Sequence, residues 1–424
     1  MANADEGQVA EQARGGAASR ELLPVEVLAI APTPFFGDYG CHVRILEESR
    51  ALQSWGIHTT VATYPFGRDV GTVRLHRAAR FPGQRRIAPG SSRQKFSLDA
   101  ALALTALRAA AIERPDIIHG HLHEGALIGW LVARIFRVPL VFDFQGSLTS
   151  EMVDHRFLAV GSGTHRAFRR LEQWIVERPD ATVTSTQGGA DLLINEFGRP
   201  AASVCVVPDG VDTNEFRPIW EMVGEDGQLE RSARLRAEMG IPPDRTVIVY
   251  LGLLAEYQGI THLLHAAELL VRQGQTVHFL IMGFPGEAAY EQVAIALGLA
   301  GHITFTGAIP YERAAEYLAL GDIAVSPKIS ETEGNGKLLD YIAMGLPTVS
   351  FDTKSSREIL GDLGLYAERG NPADLARKIQ DLIDDPDAAL ERGRLLRKKA
   401  VELHNWERSA QLLVDTYRRL LGQR

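Results

Sequence analysis

Short apolar runs alternate with segments of helical periodicity along most of the chain. The first run, Val25–Ala31, reads VEVLAIA and is typical of a strand buried on both faces of a parallel sheet. In residues 42–55, which follow, the apolar side chains recur at helical spacing. The alternation continues to residue 208, and a second series of the same kind begins at Val247. The pattern predicts an α/β protein made of two doubly wound, Rossmann-like domains.

Length and composition extend this picture to domain boundaries and location. A chain of 424 residues is longer than one hydrophobic core usually supports, so we expect a first domain over residues 23–216 and a second over 217–404. Residues 1–22 are polar and predict a disordered tail without the apolar centre of a signal peptide. No apolar run is long enough to span a bilayer. We therefore expect a cytoplasmic protein, with peripheral contact to the inner membrane face left open.

The charge is acidic overall but basic in one segment. A net charge of −8 argues against nucleic acid as a partner. Residues 68–95 nevertheless carry eight cations against the single acidic residue Asp69, and we expect this segment to be irregular. It is either a solvated loop or a surface for anionic lipid headgroups or a phosphorylated acceptor. The cations are Arg68, Arg74, Arg77, Arg80, Arg85, Arg86, Arg93 and Lys95.

An anion-binding turn is predicted between two strand-like runs, residues 323–326 and 348–351. Gly334, Asn335 and Gly336 precede a helix that begins at Lys337 and ends before Gly345. Free N–H groups at a helix start, small residues and a lysine suit a phosphate. Two further acidic residues precede the turn, Glu331 and Glu333. Carboxylates beside a phosphate site suit a ligand with both phosphate and hydroxyl groups, although an ordinary strand–helix turn would look similar.

Three alternating histidines, His119, His121 and His123, follow a predicted strand at residues 117–118. We expect the strand to end within this run, and no spaced partner motif supports zinc, so no metal site is predicted. A histidine at the carboxyl edge of a parallel sheet, where ligands of such sheets bind, is the better interpretation. The loop after the first strand contains glycines but no G-x-G-x-x-G, so the dinucleotide fingerprint is absent.

Two motifs carry a resemblance to a known family. Residues 206–212 read VVPDGVD, followed by Phe216 and Pro218, and are similar to the signature P-N-G-V-D-x-x-x-F-x-P, with Asp209 in place of Asn. Residues 333–336 read EGNG and, with Asp340 and G-x-P after it, resemble an E-x-F-G motif and its following acidic residue. The sequence thereby resembles the retaining glycosyltransferases of family 4, which have the GT-B fold. The resemblance implies two Rossmann-like domains facing across a cleft, with a last helix over residues 405–424 packing back on the first.

The resemblance also implies a reaction and a set of site residues. A sugar would pass from a nucleotide-diphosphate donor, held by the second domain, to a carbohydrate, lipid-linked or small-molecule acceptor, with retention and without metal or cofactor. His121 and Glu333 would act at the reacting sugar, and Asp340 would contact the ribose. The remaining donor-side candidates are Glu331, Asn335, Gly336, Lys337, Lys328, Gly252 and Gly283. The acceptor-side loop would contain Gly37, Asp38 and Gly40.

The sequence departs from the family pattern at the diphosphate site. The family's arginine and lysine are replaced by Leu253 and Gln258. An unneutralised diphosphate in a cleft is costly, so we expect Lys337 and Lys328 to supply the missing charge. The spacing of the two family carboxylates is also one residue short, which leaves Glu331 as a rival to Glu333.

Two other functions are compatible with the same residues. Loss of both cations is what a catalytically silent sugar-nucleotide-binding protein would show, and a sugar-nucleotide epimerase could share the fold. Binding of nucleotide sugars, followed by a test of donor hydrolysis, distinguishes these functions. The pattern does not specify the sugar, the base or the acceptor, because pocket walls choose among these by a few hydrogen bonds.

Overall fold

The computed structural model describes residues 23–38, 40–80, 95–154, 157–222, 227–330 and 334–422. Within these ranges the two predicted series of strands form two separate sheets. The strands are β1 Val25–Ala31, β2 Ile57–Thr63, β3 Arg74–Arg77, β4 Ile117–His121, β5 Leu140–Asp143, β6 Ala181–Thr184, β7 Val204–Val206, β8 Thr246–Leu251, β9 Val277–Met282, β10 Ile303–Phe305, β11 Ile323–Ser326, β12 Thr348–Phe351 and β13 Leu365–Ala367. The helices are α1 Gly40–Gln53, α2 Lys95–Glu113, α3 Leu122–Phe136, α4 Leu148–Asp154, α5 Gly163–Val176, α6 Gln187–Asn195, α7 Gln228–Glu238, α8 Ile260–Arg272, α9 Glu287–Ala296, α10 Ala314–Leu318, α11 Lys337–Ala343, α12 Lys354–Leu360, α13 Pro372–Asp384, α14 Pro386–Leu403 and α15 Trp406–Gly422.

The first sheet has the order β3-β2-β1-β4-β5-β6-β7, and its strands are parallel. Apolar side chains of α2 and α3, among them Leu102 and Val132, cover one face of this sheet. On the other face, Leu52 of α1 and Leu413 of α15 pack against β1 and β2. The strand order reverses between β1 and β4, and ligands of doubly wound sheets bind at such switch points.

The second sheet has the order β10-β9-β8-β11-β12-β13 and is also parallel. Its order reverses between β8 and β11, so the predicted turn after β11 lies at the switch point. The carboxyl ends of β1 and β4 in the first sheet and of β8 and β11 in the second border a common cleft. The predicted doubly wound, two-domain architecture is therefore confirmed.

The last helix, α15, leaves the second domain and packs on the first. Val414 and Tyr417 are fully buried in the cluster that contains Val25 and Ile57. Gly210 makes the crossing close, because a Cβ at this residue would lie 2.6 Å from the Trp406 backbone nitrogen. The predicted packing of the last helix on the first domain is confirmed for Trp406–Gly422, whereas the domain boundaries at residues 216 and 404 stay predictions.

One predicted segment differs from the structure, and another lies outside it. Residues 68–95 were expected to be irregular, but Arg74–Arg77 forms the edge strand β3 by pairing with Thr60–Thr63 of β2. An alternating RLHR sequence is short and polar, and pairing to a neighbouring strand decides its conformation. Residues 1–22 and 81–94 lie outside the described residues. In the described ranges, the helices are all too short or too polar to cross a bilayer.

Candidate active site

The cleft between the two sheets encloses about 470 Å³, within the usual size of a small-ligand site. The first domain supplies the ends of β1 and β4 and the start of α1. The second supplies the ends of β8 and β9 and the start of α11. Residues from both domains therefore face the same space, as a two-substrate reaction requires.

Lys337 places a positive charge at the second-domain wall. Its Nζ donates to Gln258 Oε1 at 2.8 Å and lies 4.5 Å from the centre of the Tyr250 ring. Gly252 makes room for it, since a Cβ at Gly252 would lie 2.8 Å from the Nζ. The ammonium is thus adjacent to the two positions, Leu253 and Gln258, at which the family cations are missing.

Lys328 is a second cation of this wall, and it is only 2% exposed. Its Nζ donates to the carbonyl oxygen of Gly334 at 2.6 Å, and so holds the turn that precedes α11. Asn335 is equally buried; its Oδ1 accepts from Ser326 at 3.1 Å and its Nδ2 donates to Ser356 at 3.3 Å. The Asn335 side chain therefore fixes the turn at the cleft wall, and its contact with a donor stays a prediction.

The helix that follows the turn is short. α11 has seven residues and begins at Lys337, with Gly336 before it exposed at the cleft. A helix of two turns supplies only a weak dipole, because dipole strength grows as peptide units align. The two lysines therefore add full positive charges beside a short helix start.

Gly252 and Gly283 lie side by side at the ends of β8 and β9. A Cβ at Gly283 would lie 2.2 Å from the Gly252 carbonyl oxygen, so the backbones approach more closely than any other residue would allow. Gly252 has a φ of +148°, which also disfavours a side chain. Both glycines line the cleft, and their missing side chains allow this close packing of its wall.

Asp340 lines the cleft one turn into α11. Burial, with a smaller contribution from Glu215, raises its pKa to about 8. Among the described residues, none donates a hydrogen bond to its carboxyl group. The group is thus available to hydroxyls of a ligand, and its predicted contact with the ribose stays a prediction. Glu331 and Glu333 lie outside the described residues, so the choice between them is also open.

The acceptor-side loop contributes Asp38 and Gly40 to the cleft, while the N–H of Gly37 donates to His42 Nδ1 at 2.8 Å. Asp38 Oδ1 accepts from Arg68 at 2.9 Å and from the Tyr311 N–H of the second domain at 3.0 Å. The loop therefore joins the two domains at the mouth of the cleft.

His121 lies behind the cleft wall, and His123 lines it. His121 is 2% exposed; its Nδ1 is 2.9 Å from Asp143 Oδ2 and its ring stacks on that of His119. His123 packs edge-on to Phe142, with Nε2 3.4 Å from Glu172 Oε1. The strand ends within the histidine run, as expected, because β4 continues through His121 and α3 begins at Leu122. The alternation of the strand turns His119 and His121 to one face, and the catalytic role of His121 stays a prediction.

A buried ionic network centred on Arg44 was not found from the sequence. The guanidinium contacts Asp143 at 3.2 Å, Asp209 at 2.5 Å and Glu48 at 2.9 Å. Burial alone would raise the pKa of Asp143, but Arg44 and then His121 hold it well below its usual range. Burial raises the pKa of Glu48 to about 8, against the opposing effect of Arg44.

The network bears on the metal question and on the cleft. Ligand atoms of Glu48, His119 and His121 lie within 4.8 Å of one another, a spacing that would suit a metal. Arg44 already supplies a positive charge to Glu48 there.

Asp209, at the other end of the network, faces the cleft, and a Cβ on Gly334 would lie 3.9 Å from its Oδ2. The network thus fixes a first-domain carboxylate opposite the donor-side turn.

Comparison with known proteins agrees with this architecture. Residues 40–215 match the family described as Glycosyltransferase Family 4, and residues 245–385 match Glycosyl transferases group 1. A D-inositol 3-phosphate glycosyltransferase of Corynebacterium kroppenstedtii is 29% identical over 313 residues, which cover 71% of this chain and 66%, just under two thirds, of that relative. The D-inositol 3-phosphate glycosyltransferase 2 of Catenulispora acidiphila is 27% identical over 94% of this chain and 96% of its own.

Solved structures share the fold at low identity. Sucrose-phosphate synthase from Thermosynechococcus elongatus aligns with a TM-score of 0.78 at 19% identity, over 94% of this chain and all of its own. HepE of Anabaena, solved in complex with UDP-glucose, aligns with a TM-score of 0.71 at 15% identity, over 92% of this chain and 99% of its own. The chain therefore belongs to the group 1 and family 4 glycosyltransferases, and its fold is GT-B.

Proposed function

We propose that the protein transfers a sugar from a nucleoside-diphosphate donor, bound by the second domain, to a hydroxyl of an acceptor bound by the first. The observation that carries this proposal is the position of Lys337. Its ammonium lies at the cleft wall and donates to Gln258, one of the two positions where the expected cations are absent. A cleft that keeps a positive charge at this place is suited to a diphosphate, whereas loss of the charge would favour a silent protein.

The chemical demand on the site is stabilisation of the leaving diphosphate. Negative charge builds on the leaving oxygen as the bond to the sugar breaks, and a fixed cation in a water-poor cleft lowers the energy of that state. Lys337 supplies this cation, and Lys328 holds the turn beside it through Gly334. Asp340 and one of the two acidic residues before the turn would hold hydroxyls of the donor.

Retention of the anomeric configuration and independence from metal belong to the same proposal. Retention is what the family resemblance implies, and a front-face displacement needs no nucleophile from the protein. Lysine ammonium groups can neutralise a diphosphate directly, so the reaction needs no divalent cation for that purpose. Proton NMR of the first product formed reports the anomer, and turnover in the presence of EDTA reports the metal requirement.

The donor and acceptor can be sought in a defined order. HepE was solved with UDP-glucose, and the curated relatives are named for inositol 3-phosphate. Thermal-shift screening therefore starts with uridine nucleotides and continues with the other nucleoside diphosphates. Transfer is then assayed by mass spectrometry with a panel of polyol acceptors that includes inositol 3-phosphate.

The screen separates the proposed transferase from the alternatives. A rise in Tm with one nucleoside diphosphate, and slow hydrolysis of the matching nucleotide sugar, are the expected results. Binding of the donor without hydrolysis or transfer would favour the silent binding protein. A donor sugar returned in epimerised form would favour the epimerase. If no nucleoside diphosphate raises the Tm, the proposal is refuted.

A further inference from the structure

The outer surface of α2, α3 and α5 in the first domain combines exposed apolar side chains with arginines. We call this surface the arginine face. The three helices lie side by side, with α3 packed between α2 and α5. Its large apolar side chains are between 37% and 77% exposed: Phe96, Leu104, Ile112, Leu127, Leu131, Ile135 and Leu171.

The exposed apolar side chains follow the helical repeat. On α3, Leu127, Leu131 and Ile135 are spaced by four residues and so lie along one side of the helix. On α2, Phe96 and Leu104 lie on one such line, which continues through the exposed Arg108. These exposed side chains are distinct from the buried apolar side chains of α2 and α3 that pack on the sheet. Contiguous exposed apolar surface of this kind usually marks a contact with a protein or a membrane.

The charges on this surface are almost all of one sign. Four exposed arginines lie on the three helices, and three more follow their carboxyl ends: Arg108, Arg134, Arg166 and Arg170, then Arg114, Arg137 and Arg178. One exposed carboxylate, Glu177, lies beside Arg178 and accepts a hydrogen bond from Gln173. The four carboxylates of the same helices are turned away from solvent and paired within the protein: Asp99 with Tyr64, Glu113 with Arg74, Glu124 with Lys95 and Glu172 with Thr149. A positive surface on a chain of net charge −8 requires this separation of charges.

Two tryptophans occupy the seam between α3 and α5. The rings of Trp130 and Trp174 meet edge to face at 5.1 Å, and both are partly exposed. Arg134 lies over the first ring at 5.9 Å and Arg178 over the second at 4.6 Å. Partly exposed tryptophans flanked by arginines are typical of proteins at a membrane–water interface, where the ring is apolar and its edge remains hydrated.

We propose that the arginine face docks the protein on an anionic lipid bilayer. The arginines would contact lipid phosphates, and the apolar side chains would enter the boundary between headgroups and acyl chains. A second copy of the chain fits less well, because a twofold dimer through this surface would bring arginines against arginines. Nucleic acid would match the charge but leave the leucines and Phe96 without a partner.

This surface differs from the basic segment at residues 68–95. Four of the five described cations of that segment are paired within the protein: Arg68 with Glu312, Arg74 with Glu113, Arg77 with Asp69 and Lys95 with Glu124. The fifth, Arg80, lies over the Phe66 ring. Residues 81–94 lie outside the described residues. The described arginines of the three helices carry the docking proposal independently of that segment.

Docking in this orientation would place the cleft near the bilayer. Helices α2 and α3 begin at Lys95 and Leu122, and both residues line the cleft. If the proposed transfer is correct, an acceptor anchored in the same bilayer could reach the first-domain wall. This consequence rests on the proposed function, whereas the docking itself does not.

Vesicle flotation tests the docking without any assumption about catalysis. The full chain is mixed with vesicles of phosphatidylcholine alone or of phosphatidylcholine and phosphatidylglycerol, at about 0.1 M and about 1 M salt. We expect flotation with the anionic vesicles at low salt and little with the neutral ones. Each arginine near the surface contributes a factor of about five in affinity, so the double variant Arg108→Glu/Arg170→Glu should lose at least about tenfold.

Matched variants on α14 provide the controls. This helix also exposes leucines, but its charges are of both signs. The apolar variant of the arginine face, Leu131→Gln/Ile135→Gln, is compared with Leu390→Gln/Leu395→Gln on α14. The charge variant, Arg108→Glu/Arg170→Glu, is compared with Arg394→Glu/Lys398→Glu, which changes the net charge by the same amount. The Tm of each variant shows that it is folded. We expect only the arginine-face pairs to reduce flotation.

Three outcomes would overturn the proposal. One is that the protein floats with neither vesicle, and another is that the α14 variants lose as much binding as the arginine-face variants. The third is a dimer in light scattering that Leu131→Gln/Ile135→Gln dissolves, without vesicle binding. That result would assign the surface to a second copy of the chain.

Discussion

Replacing Lys337 by alanine removes the cation on which the proposed donor site depends. Two unit charges about 4 Å apart interact by about 4 kcal/mol at an effective dielectric constant near 20. Water will enter the space left by the side chain, so the loss approaches the value of one charged hydrogen bond, about 1.5–3 kcal/mol. The Kd of a nucleoside diphosphate should therefore rise about 10- to 100-fold.

Calorimetric titration with a nucleoside diphosphate and with its nucleoside isolates the phosphate contribution. Lys337 donates to Gln258 and lies beside Gly252. Loss of the Lys337 ammonium should weaken binding of the diphosphate but change the Kd of the nucleoside by no more than about twofold, because the nucleoside has no charge to neutralise. Lys354→Ala is the matched control, since Lys354 is also the first residue of a helix but is exposed and does not line the cleft.

A second-site variant sharpens the test. In the Lys337→Ala background, Gln258→Lys would return an ammonium group to the space that the Lys337 Nζ now occupies, 2.8 Å from the Gln258 side chain. We expect much of the lost affinity to return. An unchanged Kd in Lys337→Ala, or an equal loss for diphosphate and nucleoside, would refute the assignment of Lys337 to the diphosphate.

Three further predictions concern other parts of the molecule. The pKa of Asp340 is raised to about 8, so its carboxyl group stays protonated in the folded protein while the same group in the unfolded chain loses its proton near pH 4. The free energy of unfolding without ligand should therefore fall between about pH 4 and pH 8. Asp340→Asn should flatten that decline in urea titrations. Arg44→Met leaves buried carboxylates without their counter-charge and should lower the free energy of unfolding by about 3–5 kcal/mol, whereas an unchanged denaturation midpoint would contradict the network. Arg68→Ala breaks the contact with Glu312 across the cleft mouth and should enlarge the radius of gyration in solution scattering. The free energy of unfolding should change by less than about 1 kcal/mol, because the ion pair is at the surface. Arg74→Ala, which breaks a contact within the first domain, should leave the radius of gyration unchanged.

Elements with a clear period were predictable from the sequence. β1, β11 and β12 have the predicted bounds, because each is a short, mostly apolar run bordered by turn residues. The turn at Gly336 and the helix from Lys337 were also placed correctly, since glycine, asparagine and the later Gly345 mark the ends of the helix. These predictions needed only local information.

Contacts between distant segments were not predictable. Arg44 meets Asp143, 99 residues away, and Asp209, 165 residues away, only because α1 lies against the carboxyl ends of β5 and β7. Leu122 adopts a positive φ of 60°, and this bend turns His123 toward the cleft while His121 stays on the strand. Nothing in the residue types of the histidine run distinguishes the two histidines, since the bend depends on how α3 packs on the sheet.

At the proposed diphosphate site, the positions of the cations in the folded structure are more informative than the sequence motif. The motif after β8 lacks both cations of the resembling family, and that loss alone favours a silent protein. In the proposed function the missing charge comes from Lys337, which is 79 residues from Gln258 and begins a different helix, yet its ammonium contacts the Gln258 side chain. Gly252 has no Cβ and so leaves the space that the ammonium occupies. A diphosphate responds to the field at its position and not to the segment that provides it, so the cleft keeps the electrostatic means for transfer although the motif is changed.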